Sequence, residues 1–142
     1  MRPIIPLPDL PLLPRENLLD MNFLALQLDT LGPAEMIGLA RLFQRTSRQI
    51  IDVMDAAAAA GDRSAVKAQA HRLRSAAGAL CLVDVARQAA RIEADAPLAS
   101  QTHLQARIAL LREARGMGLR ALGRAARTIV FPQAESIATP KR

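Results

Sequence analysis

The sequence predicts an all-α domain: an antiparallel up-down-up-down four-helix bundle with a short extra helix at its N-terminal side. Three observations carry this. Ala and Leu dominate an apolar half of the 142 residues, while aromatic residues are reduced to three Phe, with no Trp or Tyr. Ala and Leu are strong helix formers, and the β-branched and aromatic residues that favour strands are sparse. Gly and Pro fall mainly at the ends of stretches whose apolar residues recur with helical spacing. The turns between the last four such stretches are very short, so neighbouring helices must run antiparallel.

Residues 1–17 alternate Pro with apolar residues and read as an extended arm or linker. Residues 18–31 (LLDMNFLALQLDTL) form a short helix starting near Asp20, expected to cap one end of the bundle. Gly32-Pro33-Ala34-Glu35 is a helix start, with Pro at the first helical position and an acid in the positive first turn. The second helix is expected over 33–60, with Leu39, Phe43, Ile50, Val53 and Ala57 on its inner side. Gly61 ends it in a left-handed conformation and Asp62 caps the next helix, over 62–80. A fourth helix, 83–96, stops before Pro97. The fifth runs from 98 or 100 to 127, with Leu104, Ile108, Leu111 and Leu122 inward. The domain is thus expected over 18–128, with a flexible tail over 129–142.

Charge and cysteine usage narrow the function classes. The net charge is +6; residues 1–100 balance eleven basic against eleven acidic side chains, and residues 101–142 hold eight basic and two acidic. A polyanion-binding surface would therefore sit at the C-terminal end. Yet Arg107, Arg112, Arg115, Arg120, Arg124 and Arg127 spread over more than half of a helix circumference, which suits a solvated surface better than a binding stripe. The lone Cys81 can form neither an internal disulfide nor a thiolate metal cage, and reads as a small buried apolar residue. No apolar run is long enough to span a membrane, and the prolines of the arm would break a signal-peptide helix. The expected location is the cytoplasm.

The third helix separates into two stripes. Val66, Ala70, Leu73, Ala77 and Leu80 form the core seam, and Lys67, His71, Arg74, Ser75 and Gly78 lie about 120° away. His71 is therefore on a shoulder, with one cation a turn before it and another a turn after, among small neighbours. Imidazole is a good nucleophile near neutral pH. The cations would offset a phosphoryl charge, and the small residues would let another protein approach. An ordinary solvated histidine is the default for such a position considered alone.

The stretch Ala70-His71-Arg72-Leu73-Arg74-Ser75-Ala76-Ala77-Gly78-Ala79-Leu80 resembles the signature of histidine-containing phosphotransfer (HPt) domains, roughly A-H-x-L-K-G-S/A-x-x-L-G. The family's following helix ends in L-E, and Ile92-Glu93 stands there without a gap. Leu42-Phe43 and the AAAAAGD run at 56–62 are similar to the preceding helix and its turn. The resemblance covers about residues 20–125. It implies a four-helix bundle exchanging a phosphoryl group with the Asp of receiver domains in a two-component phosphorelay. It makes His71 the phospho-acceptor, through Nε2. Arg74 stands at the family's Lys, and Glu93 at the position that can hydrogen-bond the inner ring nitrogen. No cofactor or metal of its own is implied; the Mg2+ belongs to the partner receiver. The implied partners are receivers of a hybrid kinase and of a response regulator, with the Pro-rich arm resembling an interdomain linker of a hybrid sensor kinase.

Two family glycines are replaced. Ser75 could crowd the phosphoryl group or donate a hydrogen bond to it, and Cys81 must make the turn after the helix at a conformational cost. His103, the second histidine, has no motif around it. No Gly-rich phosphate loop or ATP-binding pattern is present, so a phosphocarrier rather than an ATP-dependent kinase is expected. The alternatives are a degenerate domain of the same fold kept for interaction, and a basic helical module binding nucleic acid.

Overall fold

A computed structural model describes residues 18–130, with side chains described as far as Arg127. The expectations for the arm over 1–17 and for residues 131–142 of the tail lie outside the described residues. Five helices follow in order: α1 (Met21–Leu31), α2 (Pro33–Ala59), α3 (Arg63–Ala79), α4 (Val83–Asp95) and α5 (Gln101–Val130). No strand occurs among the described residues. Helices α2, α3, α4 and α5 pack in a ring, each on the next and α5 back on α2, while α1 packs on α2. Helix α5 reaches Val130, three residues past its expected end.

Local chemistry sets the boundaries. The Asp20 carboxylate accepts a hydrogen bond from the Phe23 amide at 3.0 Å and starts α1. Pro33 opens α2 with Glu35 in its first turn. Gly61 takes φ +76°, and the amides of Gly61 and Asp62 return to the carbonyls of Ala58 and Ala57, closing the helix end as a Schellman motif. The Asp62 carboxylate then caps α3 through the Ala65 amide at 3.1 Å. Ser100 caps α5 by accepting from the His103 amide at 3.0 Å.

The α3–α4 turn repeats the Schellman geometry with Cys81 where glycine would be strain-free. Cys81 has φ +65°, and the amides of Cys81 and Leu82 donate to the carbonyls of Gly78 and Ala77. The side chain is buried, 2 % exposed. Burial pushes its thiol up to about 11, with the Asp20 carboxylate adding to the shift, so the thiol is not a reactive group. The chain before α1 is laced to this turn, since Asp20 N–H donates to Cys81 C=O and Val83 N–H to Leu18 C=O.

The α3 seam and all four expected α5 core residues are buried. The expected inner face of α2 is only half right. Phe43 and Ile50 are buried, but Leu39 and Val53 are 37 % and 50 % exposed. The buried residues are Met36, Phe43, Ser47, Ile50, Ile51, Met54 and Ala58. The expected face was rotated by roughly 70°, because α2 carries large apolar residues on both sides of the true seam: Leu39 and Val53 on one, Ile51 on the other. It also passed over Ser47, a polar residue at the centre of the true face. Ser47 tolerates complete burial because its hydroxyl accepts from Arg115 Nε at 2.6 Å, while Arg115 Nη2 donates to the Gln44 carbonyl at 2.6 Å.

Polar clamps fix the register of α5 on α2. Gln101 donates to the Ala59 carbonyl, Arg112 pairs with Asp52 at 2.8 Å and with Asp55 at 3.5 Å, and Arg115 reaches Ser47 and Gln44. As numbering rises along α5 it falls along α2, so these two helices are antiparallel. No helix among the described residues is long and apolar enough to cross a membrane.

Candidate functional site

Helix α3 exposes Lys67, His71, Arg74, Ser75 and Gly78 on one face, away from its buried seam. The His71 side chain is 56 % exposed, so its ring is neither enclosed nor stripped of solvent. Its orientation comes from α4. Val85, Ala89 and Ile92 are buried in the core. One residue past Ile92, Glu93 is carried towards α3, where its Oε2 lies 3.0 Å from His71 Nδ1. The Glu93 side chain is 19 % exposed.

This bond assigns the tautomer. A carboxylate only accepts, so Nδ1 carries the hydrogen and donates to Glu93. The lone pair is then on Nε2, which makes no hydrogen bond among the described residues. Arg74 Nη2 also lies 3.4 Å from Nδ1. One nitrogen cannot both donate to Glu93 and accept from Arg74, and the shorter bond to the anionic partner prevails. Arg74 instead serves Glu93 electrostatically, with its Nε 3.4 Å from Oε1. That contact lacks hydrogen-bond alignment, and Oε1, shielded from solvent, has no hydrogen-bond partner among the described residues.

All six expected site residues fall around this centre. Lys67, one turn before His71, is exposed and makes no ion pair among the described residues. Ser75 is exposed one turn beyond His71. Gly78 has open space where a Cβ would stand. It is therefore no packing allowance within the bundle; it keeps the surface two turns beyond His71 low. The link from Arg74 to Glu93 was not anticipated, because it joins two helices and the sequence showed only that Arg74 follows His71 by three positions.

A second histidine–carboxylate pair was not anticipated. His103 Nε2 lies 3.0 Å from Asp95 Oδ2, across the α4–α5 turn. No motif surrounds His103 in the sequence, and its acid sits 8 positions away on the preceding helix, whereas the Glu93 partner of His71 was expected from the family resemblance. The His103 hydrogen bond holds the Asp95 carboxyl below its usual range, with the nearby charges of His103, Arg91 and Arg107 acting in the same direction. The described residues hold no group of three or more His, Cys, Asp or Glu side chains able to cage a metal.

The basic α5 is partly consumed by packing. Arg112 is committed to Asp52 and Asp55, and Arg115 is half-buried against α2. Burial lowers the Arg115 pKa, with Arg48 and Arg112 nearby adding to the shift. These two guanidiniums hold the bundle together rather than forming a polyanion stripe.

The resulting chemistry is that of an exposed nucleophilic nitrogen, oriented by an anion behind it and flanked by cations. No curated protein and no solved structure gives a significant match. A family model, the Hpt domain, matches residues 38–122, more than half of the chain and inclusive of α3, α4 and both turns beside them. Hpt domains carry out histidine phosphotransfer in phosphorelays, and this chain, whose described residues form helices and no strand, belongs to the Hpt domain family.

Proposed function

We propose that His71 is the phospho-acceptor of a multistep two-component phosphorelay, carried on an up-down-up-down four-helix bundle. The observation that supports this most directly is the His71–Glu93 bond at 3.0 Å, which holds the proton on Nδ1 and turns the nucleophilic lone pair outward. In the reaction, a receiver domain docks its acidic pocket over the face formed by Lys67, His71, Ser75 and Gly78. Neutral Nε2 attacks the phosphorus of the aspartyl phosphate in line. The N–P bond forms as the P–O bond to the aspartyl carboxylate breaks, and the carboxylate leaves with the bonding pair. The Nδ1 proton stays in place, and the imidazolium that develops is stabilised by Glu93 behind it. Lys67 and Arg74 offset the charge of the phosphoryl group, and the receiver supplies Mg2+. Attack by a second receiver's Asp reverses these steps and passes the group on.

The domain acts as a phosphocarrier, without ATP-dependent kinase activity of its own. Its partners in this scheme are the receiver of a hybrid sensor kinase, of which it is the C-terminal domain, and the receiver of a response regulator. The scheme is cytoplasmic, with Ser75 in place of the family glycine tuning the approach of the partner.

The test is labelling from a phosphorylated receiver. Wild type should take up an acid-labile, base-stable label. His71→Gln, which leaves the core untouched, should take up none while keeping its helicity. Label retained on the glutamine variant would refute the assignment.

A further inference from the structure

The four helices of the ring have unequal lengths. Helices α2 and α5 have 27 and 30 residues, whereas α3 and α4 have 17 and 13. At 1.5 Å per residue the first two run about 40 and 45 Å, and the others about 25 and 20 Å. The two ends of the ring are not equivalent. At one end, the α2–α3 turn meets the start of α5 through the Gln101 bond to Ala59 and the Arg63 bond to Ala99. At the other, α4 begins against Gly118 of α5, where a Cβ would lie 3.2 Å from Leu82 and 3.4 Å from Val85. Beyond that level α2 and α5 continue without α3 or α4. Among the described residues only α1 accompanies them.

Three helices in place of four leave a groove of about 550 Å³. Leu24 and Leu28 of α1, Met36 and Ile37 of α2, and Leu119 and Leu122 of α5 line it. Leu24, Met36 and Leu122 are buried at its base, while Ile37 remains 39 % exposed. Neither α3 nor α4 contributes to the lining, so the groove is separate from the His71 face.

Its charges all have one sign. Arg41 from α2 and Arg120 and Arg127 from α5 border the apolar surface, no acidic side chain lines it, and none of these three arginines forms an ion pair among the described residues. We propose that this groove is a docking site for an amphipathic helix of a partner protein, with an apolar stripe and acidic flanks, which takes the place of the missing fourth helix. The geometry is that of helix-in-groove recognition, in which an apolar face enters and the flanking charges select the partner. A second copy of this chain would bring like charge, because its own exposed α5 is basic. The proposal does not depend on phosphotransfer at His71.

The probe is a labelled helical peptide of about 15 residues, roughly 22 Å and long enough to span the groove, with a Leu stripe flanked by Glu. Its control has the same stripe flanked by Lys. Both are titrated against the full 142-residue chain by fluorescence anisotropy. The Glu peptide should bind about tenfold or more tightly than the Lys peptide, a difference that shrinks as salt rises. Arg120→Glu should narrow or invert that preference. Ile37→Glu, at a partly exposed position, should weaken the Glu peptide by about tenfold with helicity retained. Equal binding of the two peptides, or no binding of the Glu peptide, overturns the proposal. Binding that appears only after residues 1–17 are removed also overturns it, by making the arm the occupant, as does self-association through the groove. The titration contains no phosphoryl donor, so its result and that of the His71 labelling experiment are independent.

Discussion

Removing the Glu93 carboxylate should slow phosphotransfer without unfolding the bundle, and the geometry sets the size of the effect. Hydrogen bonds to charged groups contribute about 1.5–3 kcal/mol. Here His71 is 56 % exposed and Glu93 19 %, so solvent screening brings the contribution to the bottom of that range or just under it, about 1–2 kcal/mol. This free energy favours the tautomer with its proton on Nδ1, the form in which Nε2 can attack. At 1.4 kcal/mol per tenfold, its loss corresponds to a decrease of about 5- to 30-fold in the transfer rate. Glu93→Gln keeps a carbonyl acceptor at the same reach but not the negative charge, and should fall between wild type and Glu93→Ala. Rapid-quench phosphotransfer from a labelled receiver measures the rate, and imidazole nitrogen shifts report the tautomer directly. If Glu93→Ala transfers at the wild-type rate, or keeps the Nδ1–H tautomer to the same extent, the account of how His71 is oriented is wrong.

Other expectations follow from the turns and the helix contacts. Cys81→Gly relieves a left-handed φ that costs about 1–2 kcal/mol but gives up a small buried side chain, so denaturant midpoints should place it within about 1 kcal/mol of wild type. Leu82→Ala, removing a fully buried side chain one residue later, should cost about 2–5 kcal/mol in the same assay. Gly38→Ala meets open space in mid-helix and should stabilise by about 0.5–1 kcal/mol, whereas Gly118→Leu would drive atoms into Leu82 and Val85 and cost about 1–3 kcal/mol. Asp95, whose carboxyl is lowered by His103, contributes stability above its unfolded pKa of about 3.9, and that contribution is lost as pH falls through the lower folded value. The stability gap between wild type and Asp95→Asn should therefore be present at neutral pH and close in acid; a gap that widens below pH ~4 would contradict this sign.

The sequence made α3 and α5 legible, because the heptad-like spacing of Val66, Ala70, Leu73, Ala77 and Leu80, and of Leu104, Ile108, Leu111 and Leu122, picks out the face that is buried, even though Leu110 and Met117 stay exposed on α5. Helix α2 was harder. Leu39 and Val53 carry as much apolar character as the residues that are buried, and the seam passes through Ser47, whose suitability depends on Arg115 from a helix 68 positions away. The turns could be read because Gly61, Asp62, Pro33 and Asp20 act on amides within a few residues. His71 was legible from its shoulder position and motif. The Arg74–Glu93 and Asp95–His103 contacts were not, since each depends on how one helix is set against another, which spacing along a single helix does not encode.

The interior between α3 and α4 is narrow, and the surface chemistry inherits that narrowness. Ala70, Ala77 and Ala89 are all fully buried. Side chains at a helix contact set the separation of the axes within roughly 8–10 Å. Glutamate and histidine side chains have a limited reach, so the 3.0 Å bond between them sets an upper limit on how far apart their backbones can stand. Methyl-sized spacers beneath the surface thus act as a gauge for the pair above them. Selection for small residues at these positions would preserve the aim of a nucleophile they never touch, and a bulkier core could remain well packed and stable while letting the imidazole swing loose.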